Sequence, residues 1–228
     1  MQTQIRHKPG FAVARLYLQP GEPVKIQSGA MMAHSAGMML DAKVEGGFMA
    51  GLKRSFLSGE SFFVSTMTAP QQGGWVDITS VLPGDIIEMP VQPDRPMFVT
   101  KGCWLGHSWG VQTDAKWGGA QNFFGGEGGF GLVATGQGSV VLAVYGALDV
   151  MDLEPGVQVT VDTGHVVAYD MSVQFRLRQA AQGGMWKSLT SGEGFVFDFM
   201  GPGRVYLQSR STAGFEAYIR SIVPSTDG

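Results

Sequence analysis

The short stretch LQPGE at residues 18–22 decides how the rest of the chain is interpreted, because two closely similar stretches follow it. They are VLPGD at residues 81–85 and LEPGV at residues 153–157. Proline presets φ in a turn, and the glycine after it supplies conformational freedom. The three stretches therefore predict one turn in three copies, and recurrence at a long period is typical of repeat architectures.

A second landmark recurs downstream of each Pro-Gly pair, as SGESFF at 58–63, GGEGGF at 125–130 and SGEGFV at 191–196. The glycine-to-glycine separations are 38 residues (Gly21 to Gly59), 42 residues (Gly84 to Gly126) and 36 residues (Gly156 to Gly192). The second copy carries about ten extra residues around VQPDRP, which we interpret as a loop insertion. The chain is therefore predicted to contain three tandem β modules, at residues 11–80, 81–150 and 151–228.

Between these landmarks the chain consists of short apolar runs such as FAVARLYL, SVVLAVYG and HVVAYDMSVQF. They are rich in Val, Phe, Tyr and Thr, and several alternate with period two, which favours β-strands. The predicted fold class is all-β, a tandem repeat of three short β-sandwich modules. Helix is expected only near GGFMAGLKRSF and GGMWKSL. Glycine interrupts both stretches and limits each helix to one or two turns.

The composition narrows the classes of function. With 44% apolar and only 15% charged residues, the chain has material for a core, and its low charge suggests that neighbouring subunits cover part of its surface. A formal charge of −3 gives no attraction for nucleic acid or anionic lipid. Cys103 is the single cysteine, so an internal disulfide or Cys-rich zinc site is excluded. No apolar run reaches the length of a membrane span, and we expect a cytoplasmic protein without membrane insertion.

Two motifs that look catalytic lose that meaning when the copies are aligned. GHSWG at 106–110 matches the nucleophile elbow of hydrolases, which requires a strand, a strained turn and then a helix. Its counterpart AHSAG at 33–37 lies in a strand-like alternation, and neither motif precedes a predicted helix. GEGGFG at 126–131 matches a dinucleotide-binding pattern, but the strand-like GLVAT follows it instead of a helix.

The methionine-rich stretch GAMMAHSAGMML at 29–40 raises the question of a soft-metal site. Five residues after the glycines that begin each segment, Gly29, Gly102 and Gly164, stand His34, His107 and Tyr169. The methionines do not recur, because Cys103, Trp104 and Leu105 replace Ala30, Met31 and Met32. Such exchange is tolerated in packing and not in metal coordination. We therefore expect methionines that fill a core or interface, histidines that are buried, hydrogen-bonded or at an interface, and no metal or cofactor.

Charged residues also recur at fixed places in the predicted modules. Basic side chains follow the three segment-opening glycines by fourteen residues, and an acidic side chain stands in each Gly-Glu turn; the six positions are Lys43, Lys116, Arg178, Glu60, Glu127 and Glu193. Two interpretations stay open. The charges either pair or accept backbone hydrogen bonds within the modules, or they form a circle that binds an anionic ligand or partner.

The order of these motifs resembles a widespread family of bacterial and archaeal proteins whose mitochondrial relative is the yeast altered inheritance of mitochondria factor 24. The most specific pieces are SGESFF, VDTGHVVA and GPGRVYLQS, and the similarity covers about residues 10–212. The resemblance implies modules similar to the trp RNA-binding attenuation protein, joined edge to edge, with three chains closing a nine-module ring. It implies no catalytic residues.

We therefore predict a non-enzymatic, ring-forming scaffold or binding protein that assembles as a homotrimer. One alternative is a ring that binds a small molecule of unknown identity or RNA, although the acidic net charge argues against nucleic acid. The other is a serine hydrolase that uses Ser108 and His107, for which the surrounding sequence offers no suitable context.

Overall fold

The computed structural model describes residues 1–41, 64–114, 131–180 and 194–223, and β-strands dominate these ranges, which confirms the all-β prediction. Period-two alternation directs successive side chains to opposite faces. In the strand Val13–Leu18, for example, Leu16 is fully buried whereas Tyr17 is exposed on the other face. The strands are β1 (Gln2–Arg6), β2 (Val13–Leu18), β3 (Pro23–Gln27), β4 (Met31–His34), β5 (Met39–Asp41), β6 (Val64–Thr68), β7 (Gly74–Thr79), β8 (Gly84–Val91), β9 (Met97–Thr100), β10 (Trp104–Ser108), β11 (Val111–Asp114), β12 (Gly131–Gly136), β13 (Gly138–Tyr145), β14 (Leu148–Leu153), β15 (Gln158–Asp162), β16 (Val166–Asp170), β17 (Gln174–Gln179), β18 (Phe195–Met200) and β19 (Gly203–Gln208).

These strands form four sheets in which every pairing between named strands is antiparallel. The strand orders are β1-β2-β7-β4, β5-β6-β3-β10-β13-β8, β11-β12-β9-β16-β19-β14 and β15-β18-β17. Short 3₁₀ turns at Lys101–Cys103 and Thr163–His165 lead into β10 and β16. The chain thus builds two six-stranded sheets flanked by two smaller ones.

One pairing pattern occurs in three consecutive sets of six strands, which we call set one (β2–β7), set two (β8–β13) and set three (β14–β19). In every set the sixth strand lies between the first and the third, and the fifth strand lies between the second and the fourth. Each six-stranded sheet joins half of one set to half of the next. The join is made by β3 with β10 and by β9 with β16, so it always connects a second strand to the third strand of the following set.

Three hydrophobic clusters lie between successive sheets. The first takes Leu16 from the first sheet and Ile26 from the second. The second cluster takes Trp104 from the second sheet and Val99 from the third. The third cluster joins Tyr169 of the third sheet to Phe199 of the last one. Because each sheet between two clusters packs on both faces, strands such as β13 are apolar on both sides.

The structure corrects the assignment of the turn copies. LQPGE and LEPGV do join equivalent strands, with positive φ at Gly21 and Gly156. VLPGD instead lies between β7 and β8, where Gly84 begins a strand, so its assignment as the second copy was wrong. The equivalent turn is formed by Gln92–Arg95 within VQPDRP, where Arg95 N donates to Gln92 O at 3.0 Å. The expected insertion is therefore the turn itself, and because Asp94 does not have a positive φ, this turn does not require glycine there.

The expectation that helix is confined to GGFMAGLKRSF and GGMWKSL was wrong, because a helix occurs elsewhere in the chain. Both stretches lie outside the described residues, whereas a helix, α1, spans Thr212–Ile222. Ser211 caps it, because its Oγ accepts from Gly214 N at 3.1 Å. Its apolar side chains recur at helical spacing, and Phe215 contacts Tyr145 edge-on with ring centroids 6.2 Å apart. No helix in the described part of the chain is long and apolar enough to cross a membrane.

Candidate functional site at the open sheet edges

The candidate site consists of two strands that end their sheets, β4 and β15, which we call the β4 edge and the β15 edge. In the described ranges β4 pairs with β7 alone and β15 pairs with β18 alone. The strands that hold the same places in the other sets each pair with a second neighbour. The third strands β10 and β16 pair with β3 and β9, which are second strands like β15.

Burial differs sharply between the β4 edge and the matching strand β10. Met31 and Trp104 occupy the same register position, opposite Ile78 and Leu142 of their inner neighbours. Met32 is 55% exposed, whereas its counterpart Leu105 is 2% exposed. Strand β10 is covered because β3 pairs with it and the neighbouring first sheet packs against it. The β4 edge thus carries apolar side chains, as the buried strand β10 does, but leaves them exposed.

The histidines of these two strands have the same local geometry but opposite environments. Nδ1 of His34 lies 2.8 Å from Ser35 O, and Nδ1 of His107 lies 2.9 Å from Ser108 O. His107 is fully buried, whereas His34 is exposed on the β4 edge. The hydrogen bond agrees with the structural role expected for both residues.

Ser108 is not arranged as a nucleophile elbow. Its Oγ accepts a hydrogen bond from Ser139 N at 3.0 Å, and the equivalent Ser35 Oγ accepts from Trp75 N at the same distance. Strand β10 ends at Ser108, and a tight turn leads directly into strand β11. The strained strand-to-helix turn that would expose a catalytic serine is therefore missing from this described segment. Strand β12 likewise begins at Gly131, the end of GEGGFG, whose other residues lie outside the described ranges.

The β15 edge is mixed in character. Val161 is 7% exposed and belongs to the third cluster, whereas Gln158, Thr160 and Asp162 point to the solvent side. Thr160 Oγ1 donates to Asp198 Oδ1 at 2.7 Å. This edge therefore presents one apolar face that is already packed and one polar face that is accessible.

Of the six recurring charged positions, the described residues include only Arg178. It binds Asp198 with two hydrogen bonds, from Nε at 2.6 Å and from Nη2 at 3.0 Å. This bond lowers the pKa of the Asp198 carboxyl and raises the pKa of Arg178. Arg178 thus has an acidic neighbour from β18. The other five positions, Lys43, Lys116, Glu60, Glu127 and Glu193, lie outside the described residues.

A buried charge cluster was missed by sequence reasoning. Asp77 is 2% exposed and accepts hydrogen bonds from Arg15 at 2.8 Å and from Arg6 at 2.9 Å. The Arg15 guanidinium also stacks 3.7 Å from the centre of the Trp75 ring. These residues share no sequence motif, and only the pairing of β1, β2 and β7 brings them together.

Cys103 is not arranged as a nucleophile, and the described His, Cys, Asp and Glu residues form no metal site. Burial raises the pKa of the Cys103 thiol to about 12, so the thiolate needed for nucleophilic chemistry is disfavoured. Its Sγ lies 3.8 Å from Gln208 Oε1. Among the described residues, no three His, Cys, Asp or Glu side chains are grouped closely enough to hold a metal ion.

Fold and site together define an all-β protein in which, over the described ranges, a strand join occurs twice and the equivalent strands β4 and β15 each have one neighbour. The chain belongs to the family described as Mitochondrial biogenesis AIM24, whose model matches residues 3–210. This confirms the family resemblance seen in the sequence. An uncharacterised protein of Streptococcus pyogenes serotype M6 is 26% identical over 237 residues, covering 99% of this chain and 92% of that protein.

A solved structure is also similar. The crystal structure of a Streptococcus pyogenes protein superposes with a TM-score of 0.79 at 24% identity, covering 97% of this chain and 99% of that one. The two chains share a fold over nearly their whole length.

Proposed function

We propose that this protein is a non-enzymatic scaffold. Each chain consists of three tandem β modules, and three chains close into a ring. One observation carries the proposal: the same second-to-third strand join occurs twice inside the chain, and the strands that would make a third join, β4 and β15, have no second neighbour among the described residues. A chain that carries both halves of one join can continue the array through another copy of itself.

Physical reasoning favours closure of such an array. A join between two different edges is heterologous, so it generates either an open filament or a ring, and in a ring every β4 edge and every β15 edge is paired. Open strand edges otherwise invite aggregation. A module of about 70 residues also buries too little surface to be secure alone, so stacking between copies adds stability. Three copies correspond to the nine-module ring that the family resemblance implies.

The non-enzymatic part rests on the local context of the reactive side chains. Ser108 Oγ is engaged by a backbone amide, and Cys103 is buried with a raised pKa. Neither is placed as an activated nucleophile.

The mass of the full chain in solution tests the proposal. Light scattering coupled to size exclusion, together with native mass spectrometry, should report three chains of 24.4 kDa each, about 73 kDa, at micromolar concentration. A stable monomer at that concentration would exclude the ring. A co-purifying small molecule in the native spectrum would favour the ligand-binding alternative.

A further inference from the structure

The two internal joins have the same register, which can be read residue by residue. At the first join Gly106 lies opposite Ile26 and His107 opposite Lys25. At the second join Ala168 lies opposite Val99 and Tyr169 opposite Phe98. Each third strand has a register shift just before its small residue, at Gly106, Ala168 and, in β4, Ala33. The three third strands can therefore be aligned without ambiguity.

The second strands align in the same way through their inner neighbours. Val24 pairs with Met67, Met97 with Ala134 and Val159 with Phe199, at corresponding positions of β6, β12 and β18. Ile26 and Val99 therefore correspond to Val161. Lys25 and Phe98 correspond to Thr160.

From these registers we infer that β15 of one copy pairs antiparallel with β4 of the next copy, with Val161 opposite Ala33, Thr160 opposite His34 and Val159 opposite Ser35. This inference rests on the proposed self-association and specifies its contact.

The sizes of the residues at the first paired position, Val161 opposite Ala33, support this register. In both internal joins a β-branched residue stands opposite a very small one: Ile26 opposite Gly106, and Val99 opposite Ala168. The space there is tight, because a Cβ on Gly106 would lie 2.8 Å from Lys25 O and 3.4 Å from the Ile26 side chain. Val161 and Ala33 continue the pattern of a branched residue facing a small one.

At the second paired position, Thr160 opposite His34, the equivalent residues are Lys25 opposite His107 at the first join and Phe98 opposite Tyr169 at the second. Phe98 and Tyr169 stack with ring centroids 4.6 Å apart, while the Lys25 ammonium lies 5.4 Å from the Trp109 ring across the first join. The Thr160 hydroxyl and the His34 imidazole would form a polar pair at this position, and cross-strand pairs of this kind stabilise sheets. Both side chains are exposed in the single chain.

Disulfide trapping tests the register. Residues directly opposite in an antiparallel pair have Cα atoms about 4.5–5.5 Å apart, within the range that a disulfide bridges. The full chain carrying Ala33→Cys and Val161→Cys should form covalent trimers under mild oxidation, since every interface then contains one pair. The native Cys103 is buried and should not compete. The matched control carries Ala33→Cys with Thr160→Cys, whose side chains point to opposite faces, and should remain non-covalent.

The outcomes separate the two proposals. Covalent trimers of the first variant alone support the register. A solution trimer that cross-links in the control variant, or in neither, overturns the register and leaves the ring proposal standing. Monomers of the unmodified chain overturn both. If Ala33→Cys itself disturbs assembly, His34→Cys with Thr160→Cys probes the same register at the next paired position, and absence of its cross-link in a trimer overturns the inference.

Discussion

Replacement of Asp77 tests how strongly the buried charge cluster stabilises the first sheet. The carboxylate accepts three hydrogen bonds, two from Arg15 and one from Arg6, at 2.8–2.9 Å. Hydrogen bonds to charged groups contribute about 1.5–3 kcal/mol each, but the two guanidinium groups are partly exposed and recover water when the carboxylate is lost. We therefore expect Asp77→Ala to lower the free energy of unfolding by about 3 kcal/mol rather than by the full sum.

Thermal and denaturant unfolding at one fixed protein concentration measures this effect. For a chain of this size, about 3 kcal/mol corresponds to a fall in Tm of roughly 6–12 °C. Asp152→Ala is the matched control, because its ion pair with Arg204 is exposed and should leave Tm unchanged. A Tm for Asp77→Ala as close to the parent as that of the control would refute the assigned role of the cluster.

The same carboxylate predicts a dependence on pH. The two Arg15 hydrogen bonds, together with the one from Arg6, hold the pKa of Asp77 below its ordinary value of 3.8. A group whose pKa is lower in the folded state stabilises the fold above its unfolded pKa and loses that contribution as pH falls through the folded value. The stability difference between the parent and Asp77→Asn should thus be constant from about pH 5 to 8 and shrink below about pH 4.

Three further predictions concern assembly, charge pairing and catalysis. His34→Glu with Thr160→Glu should weaken the trimer in light scattering, because like charges would face each other, and His34→Glu with Thr160→Lys should restore it; equal masses for both variants would contradict the edge contact. Arg178→Gln should leave Tm nearly unchanged, because its pair with Asp198 is solvent-exposed, and a large loss would show that the pair supports a covered interface. Ser108→Ala should leave any esterase background of the purified protein unchanged, whereas loss of a saturable activity would favour the hydrolase alternative.

The sequence predicted the class of fold because strand periodicity is a local property. Runs such as FAVARLYL and SVVLAVYG are short apolar segments rich in Val, Phe and Tyr, and the corresponding strands β2 and β13 are present. The motif arguments were local too. GHSWG was interpreted as strand rather than elbow, and strand β10 with the following turn agrees with that interpretation.

The sequence-based prediction failed where the same kind of turn can be formed by different residues. The turn after β8 is formed by Gln92–Arg95 without glycine, so the Pro-Gly pattern predicts the turn at VLPGD, which is the wrong place. Helix α1 was overlooked, although Ser211 and the spacing of Phe215, Tyr218, Ile219 and Ile222 are helix signals. A Ser N-cap before apolar residues three and four apart could have identified it.

The sequence alone determined that this chain forms short strands, that similar motifs recur along it, and to which family it belongs, because all three depend on residue order within short windows. Tertiary structure alone decided which strands meet. The burial of His107 and the exposure of His34 follow from a neighbour on β10 that β4 lacks within the described chain, although both histidines stand in a His-Ser-x-Gly segment. Likewise, Asp77 is buried between Arg6 and Arg15 because antiparallel pairing brings distant segments to one face, and sheet pairing is a long-range property that no local pattern encodes.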